Sequence, residues 1–78
     1  MVKYYYVKEE LHNPEVGNYT AYAISAYEHH NHKKTNIYIS DVFLNESDAK
    51  KIVNLCNDMK LDPVHLPQVI EEALMFNQ

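Results

Sequence analysis

Apolar and polar positions follow two different rhythms along this chain, and the change falls at Asn45. Before it lie three stretches rich in Tyr, Val, Ile and Thr, the composition of half-buried β-strands. After it, apolar residues recur three and four positions apart, the spacing of amphipathic helices. We therefore predict an α+β fold in the order β-β-β-α-α, with strands at about 3–11, 18–28 and 35–44 and helices at about 46–59 and 66–76.

The two segments between the predicted strands are short enough to form hairpins. The first contains Asn13-Pro14 and closes on Gly17, the single glycine of the chain. The second, residues 29–34, is polar throughout. Asn-Pro and Gly are typical of turns. We therefore predict a three-stranded antiparallel meander, with both short helices packed on one face of the sheet.

The helical half begins at a recognisable cap. Asn45 is a favourable N-cap residue, and Glu46 and Asp48 lie where the helix dipole favours negative charge. Asn54 and Asn57 fall on the polar side of the first helix. The predicted apolar faces consist of Ala49, Ile52, Val53, Cys56 and Met59 in the first helix and Leu66, Val69, Ile70, Ala73 and Leu74 in the second.

The register of the two hairpins decides which strand residues the helices cover. Opposed residues of an antiparallel pair have a constant sum of sequence numbers, and side chains alternate between the faces. An odd sum in both hairpins separates apolar from polar residues better than an even one, so we predict odd sums. Glu9 and Asp41 interrupt the resulting core face, where they mark strand ends or a bulge. That core face comprises Tyr5, Val7, Leu11, Tyr22, Ile24, Ala26, Ile37, Ile39 and Phe43.

The opposite face would collect tyrosines around small residues of the middle strand, in a shallow trough. Tyrosine is favoured at protein interfaces because its ring is apolar and its tip is polar. Two interpretations stay open: an interaction surface, or tyrosines that only cover the outer side of a thin sheet. The members of this predicted tyrosine face are Tyr4, Tyr6, Tyr19, Ala21, Ala23, Tyr27 and Tyr38.

Size and composition indicate one domain, residues 1–78, in a reducing compartment. A chain this short buries only about 60% of its unfolded surface, so association with itself or another protein would add stability. Cys56 is the single cysteine, which excludes an intrachain disulfide and suits a cytoplasmic protein. We find neither a signal peptide nor an apolar stretch of membrane-spanning length, and predict no membrane partner.

Few residues of the sequence are candidates for metal binding or catalysis. His29, His30 and His32, which we call the histidine turn, offer imidazoles of the kind that bind zinc, copper or nickel. No second ligand cluster accompanies them, so we favour a solvated turn, keep weak metal binding as a third function and predict no cofactor. No motif brings together a nucleophile, a base and a stabilising donor, which predicts a non-enzymatic protein.

Single-strand nucleic-acid binding is the alternative function, by stacking bases on Tyr4, Tyr6, Tyr19 or Tyr38. The net charge of −4 and the absence of arginine disfavour it. The leading prediction is a small protein-interaction or self-associating module that uses the predicted tyrosine face, with a second copy or another protein as partner.

Three segments of the helical half have the sequences Ile-Val-Asn-Leu-Cys-Asn (52–57), Leu-Asp-Pro-Val-His-Leu (61–66) and Val-Ile-Glu-Glu (69–72). With them, residues 46–74 resemble a small uncharacterised bacterial domain family found mainly in Gram-positive anaerobes. The resemblance implies strands followed by helices and a cytoplasmic location. It implies no catalytic residues.

Overall fold

The protein folds as three strands followed by helices, in a computed structural model that describes residues 1–76. Residues 77 and 78 of the predicted domain lie outside the described part. The strands form one antiparallel sheet in the order β1-β2-β3, which confirms the predicted α+β arrangement. The elements are β1 (Val2–Asn13), β2 (Gly17–His30), β3 (Lys33–Phe43), α1 (Glu46–Met59), a 3-10 turn (Pro63–His65) and α2 (Leu66–Phe76).

The first hairpin has an even register, so the odd register predicted for it is wrong. Its pairing runs without a shift from Val2 opposite Glu28 to Asn13 opposite Gly17. Residues 14–16 form the loop, and the Asn13 Oδ1 atom accepts hydrogen bonds from the N–H groups of residues 15 and 16 at 2.8 and 3.2 Å. Gly17 closes the loop with φ at +91°, a conformation that other residues rarely adopt. A loop with an odd number of residues makes the sum even.

The second hairpin has the odd register that was predicted. His30 lies opposite Lys33, which leaves a two-residue loop. Both loop residues, Asn31 and His32, have positive φ, at 51° and 65°. This is the geometry of a type I′ turn, which suits the twist of paired strands.

The even register reverses the predicted faces of β1. Tyr4 and Tyr6 lie on the helix side of the sheet, and Tyr4 is only 1% exposed there. Tyr5, Val7 and Leu11 lie on the opposite side. The run Tyr4-Tyr5-Tyr6 contains no apolar–polar alternation. The apolar Val7 and Leu11 alternate with Lys8 and Glu10, and this pattern favours the odd register, which the structure does not have.

The core lies between the helix side of the sheet and the two helices. β2 and β3 contribute the residues predicted for them, with Ile24 fully buried and Ile39 half-buried. The helix faces are buried in their middles but not at their ends, since Met59 and Leu74 are 58% and 40% exposed. The buried cluster comprises Tyr4, Ile24, Ala26, Phe43, Ala49, Ile52, Val53, Cys56, Leu66 and Ile70.

Tyr4 fastens the edge strand β1 to α1. Its N–H donates to the Asn57 Oδ1 atom at 2.8 Å, and the Asn57 Nδ2 atom donates to its carbonyl at 3.0 Å. The Tyr4 hydroxyl donates to the carbonyl of Leu61. Burial is the main reason that the pKa of Tyr4 rises to about 12, and nearby acidic groups raise it further. Asn57 thus supplies the partners that this position lacks at the sheet edge.

Candidate interaction surface

The side of the sheet that faces away from the helices is the candidate functional site, and we call it the outer sheet face. Its members follow from the two registers and the alternation of side chains. They are Lys3, Tyr5, Val7, Glu9 and Leu11 from β1, Tyr19, Ala21, Ala23, Ser25 and Tyr27 from β2, and Asn36, Tyr38 and Ser40 from β3.

The small residues of the middle strand β2 are buried beneath neighbouring side chains on this face. Ala21 and Ala23 are completely buried, and Ser25 is 4% exposed. Side chains from both neighbouring strands cover them, so the predicted trough is not open. Neither alanine has surface that a partner could contact, and a partner would touch the side chains that lie over them.

Glu9 spans the middle strand and connects β1 to β3. It lies opposite Ala21 on β2, and its carboxylate reaches groups of β3 beyond. That carboxylate accepts hydrogen bonds from the Asp41 N–H at 2.9 Å, the Tyr38 hydroxyl at 2.8 Å and the Ser40 hydroxyl at 2.9 Å. These bonds, led by that from the Asp41 N–H, hold the pKa of Glu9 below its usual value although partial burial opposes them. Charge-assisted hydrogen bonds of Glu9 therefore connect β1 to β3 across the outer sheet face.

A bulge in β3 provides the N–H group that Glu9 uses. The pairing with β2 shifts between Tyr22 and Ile24, and Asp41 takes a positive φ of 57° within the irregular segment. The Asp41 Oδ2 atom accepts a hydrogen bond from the Tyr19 hydroxyl at 2.7 Å, which raises the pKa of Tyr19. Of the two acidic residues expected at strand ends or a bulge, Asp41 lies in a bulge and Glu9 lies within a regular strand.

Two tyrosines stand exposed in one transverse row of the outer sheet face. Ser25 pairs with Tyr5 on one side and with Tyr38 on the other. Tyr5 is 42% exposed and Tyr38 is 53% exposed, whereas Tyr19 and Tyr27 are half-buried. We call Tyr5 and Tyr38 the tyrosine row. Tyr38 lies on the face predicted for it, whereas the core position predicted for Tyr5 is wrong because the first hairpin has an even register.

The other predicted site residues are distributed differently. The histidine turn lies exposed at the tip of the second hairpin. Within residues 1–76, no three His, Cys, Asp or Glu side chains are grouped so that they could hold a metal ion. Cys56 is buried in the core, and this burial raises the pKa of its thiol.

Tyr4 is buried and cannot stack on a base, which leaves Tyr19 and Tyr38 as the predicted stacking residues on the outer sheet face. No helix in the described part of the chain is long and apolar enough to cross a membrane.

Comparison with known proteins places this chain in a family without assigning it an activity. No curated protein and no solved structure matches it. Residues 1–75 match a family described as Family of unknown function (DUF6514). The match confirms the expected uncharacterised domain family and extends beyond residues 46–74 to include the strands, while the bacterial distribution stays a prediction. Because the match covers nearly the whole sequence, the chain belongs to the DUF6514 family of unknown function.

Proposed function

We propose that this domain is a small non-enzymatic interaction module that binds another protein through its outer sheet face. The observation that carries the proposal is the tyrosine row, two partly exposed aromatic rings on either side of the buried Ser25. The helices cover the opposite side of the sheet, whereas the outer sheet face is accessible to a partner.

Tyrosine suits this role for energetic reasons. Its ring supplies a large apolar contact area with few rotatable bonds, and its hydroxyl finds a hydrogen-bond partner at the interface rim. Tyr38 is also held in place before binding, because its hydroxyl donates to Glu9 at 2.8 Å. A side chain that is already ordered loses less conformational entropy when a partner docks.

Site-specific photo-crosslinking can test the proposal with a matched control. A photoreactive phenylalanine derivative replaces Tyr38 in one variant and Leu55 in the other. Leu55 is 47% exposed, close to the 53% of Tyr38, but it lies on α1. We expect a discrete crosslinked protein from position 38 in an extract of the source cells, and no such product from position 55.

Binding measurements with the identified and purified partner complete the test. Tyrosines at the centre of an interface typically contribute at least ~2 kcal/mol, so Tyr5→Lys should weaken binding roughly thirtyfold. Leu55→Lys should leave affinity unchanged. Equal crosslinking from both positions, or full affinity in Tyr5→Lys, would contradict the proposal. Salt-dependent binding of an oligonucleotide that is lost in Tyr5→Lys would favour the nucleic-acid alternative instead.

A further inference from the structure

We infer that the free part of the β1 edge is a self-association site, where a second copy of this chain adds its own β1 antiparallel across a two-fold axis. The product is a continuous six-stranded sheet. The inference concerns a different surface from the outer sheet face and does not depend on the proposed function.

The contacts of Tyr4 show which backbone groups point out of the sheet. Both its N–H and its carbonyl bond to Asn57 rather than to β2. In an antiparallel strand this orientation alternates along the chain, so the N–H and carbonyl groups of Tyr6, Lys8, Glu10 and His12 also point outward. Together they form a hydrogen-bonding edge beyond the part of β1 that α1 occupies.

This edge has charged side chains, but it lacks two other devices that protect sheet edges, a bulge and a proline. β1 pairs with β2 without a bulge over its whole length, and its first proline, Pro14, lies beyond its end. The side chains of Lys8 and Glu10 are 64% and 72% exposed, so no helix among residues 1–76 covers them. The other edge strand, β3, contains the bulge at Asp41, and bulges hinder the addition of a further strand.

Charge selects one register for the pairing of two copies. Residues whose backbone N–H and carbonyl groups point out of the sheet must face each other in the two copies. This condition leaves three registers centred on residues 8 to 10. One sets Lys8 against Lys8 of the second copy, and another sets Glu10 against Glu10. The third sets Lys8 against Glu10 of the second copy in both halves of the interface. It also brings the half-buried side chains of Val7 and Leu11 together across the seam.

The two ends of the proposed row of hydrogen bonds between the β1 strands are consistent with the register that pairs Lys8 with Glu10. Tyr4 then falls opposite Pro14 of the second copy. Asn57 already occupies the edge groups of Tyr4, and proline has no N–H to donate, so the ladder stops where neither strand has free groups. Between these limits the pairs of Tyr6 with His12 and of Lys8 with Glu10, each occurring twice, make about eight backbone hydrogen bonds.

Glu9 lies on the two-fold axis of this arrangement, opposite its own copy. Like charges directly opposed across two strands are destabilising. The carboxylate of Glu9, however, is directed the other way, across β2, where Tyr38, Ser40 and the Asp41 N–H donate to it at 2.8 to 2.9 Å. Its charge is therefore compensated within its own sheet and turned away from the axis.

Charge reversal tests the register by sedimentation equilibrium across micromolar to millimolar concentrations. We expect the parent to form a dimer. Lys8→Glu and Glu10→Lys should each weaken it about tenfold, because each turns two attractive pairs into repulsive ones. The double variant, which restores opposite charges in exchanged positions, should recover most of the parent affinity. Circular dichroism should show that every variant is folded, since both side chains are exposed.

Amide hydrogen exchange gives a second measurement. In the dimer the N–H groups of Lys8 and Glu10 should be protected in a concentration-dependent way, whereas that of Tyr4 is protected at all concentrations. A parent that stays monomeric, a dimer indifferent to the single reversals, or a double variant no better than either single would overturn the inference. Tyr38→Lys changes the outer sheet face on β3, which β2 separates from the seam, and should leave the dimer intact. Failure here and failure of the proposed outer-face function can therefore be told apart.

Discussion

Replacing Asn57 by alanine should destabilise the fold through a single point of attachment between the sheet and α1. The Asn57 amide accepts from the Tyr4 N–H at 2.8 Å and donates to the Tyr4 carbonyl at 3.0 Å. Alanine removes both hydrogen bonds. Two partly buried backbone groups of an edge strand then lose their protein partners.

The size of the effect follows from these two bonds. A hydrogen bond typically contributes ~0.5–1.5 kcal/mol net, so the pair contributes about 1–3 kcal/mol. Alanine is a better helix former than asparagine, and this offsets about 0.5 kcal/mol of the lost stability. For a domain of this size each kcal/mol changes the melting temperature by about 4–8 °C. The net loss of about 0.5–2.5 kcal/mol should therefore make Asn57→Ala melt roughly 2–20 °C below the parent.

Asn54→Ala is the matched control, because Asn54 lies on the same helix, is exposed and gains the same helix propensity. It should melt at or slightly above the parent temperature. Thermal unfolding followed by circular dichroism measures both, and hydrogen exchange should show faster exchange of the Tyr4 amide only in Asn57→Ala. If the two variants melt together, or the Tyr4 amide stays protected, then water replaces the Asn57 amide without loss and our reasoning is wrong.

Three further predictions concern the core, alkaline pH and the histidine turn. Ile24→Ala should lower the free energy of unfolding in guanidinium by ~2–5 kcal/mol, and Ile39→Ala by less because Ile39 is only half-buried; equal losses would contradict the observed packing. Because the pKa of Tyr4 is raised from 10.0 to about 12, its contribution is fully present below pH 10 and is lost as the pH rises through 12. Urea unfolding at alkaline pH should therefore show a flatter profile for Tyr4→Phe than for the parent, and coincident profiles would refute this. Replacing the histidine turn by serines should leave the melting temperature unchanged with or without a chelator, and a metal-dependent shift seen only in the parent would reveal a real site.

Local chemistry along the sequence determined the order of the elements and the start of α1. The side chain of Asn45 caps α1 by accepting from the Ser47 N–H at 2.8 Å, as its residue type predicted. Apolar spacing identified both helices, and alternation in β2 and β3 assigned their faces correctly, including Tyr19, Tyr27 and Tyr38 of the candidate surface. These features depend on residues within a few positions of each other, so a single sequence contains them.

The tertiary structure alone decided the face of β1, and with it the content of the candidate surface. Tyr4, Tyr5 and Tyr6 are chemically identical, so only the parity of the 14–16 loop determines which of them the helices cover. The same holds for Asn57 and Glu9, two polar residues whose hydrogen-bonding partners lie far away in the sequence. Their pattern along the chain is that of ordinary solvated side chains. Their roles depend on contacts that exist only after α1 has docked on β1 and the three strands have paired, because no local spacing encodes which distant backbone groups will need a partner.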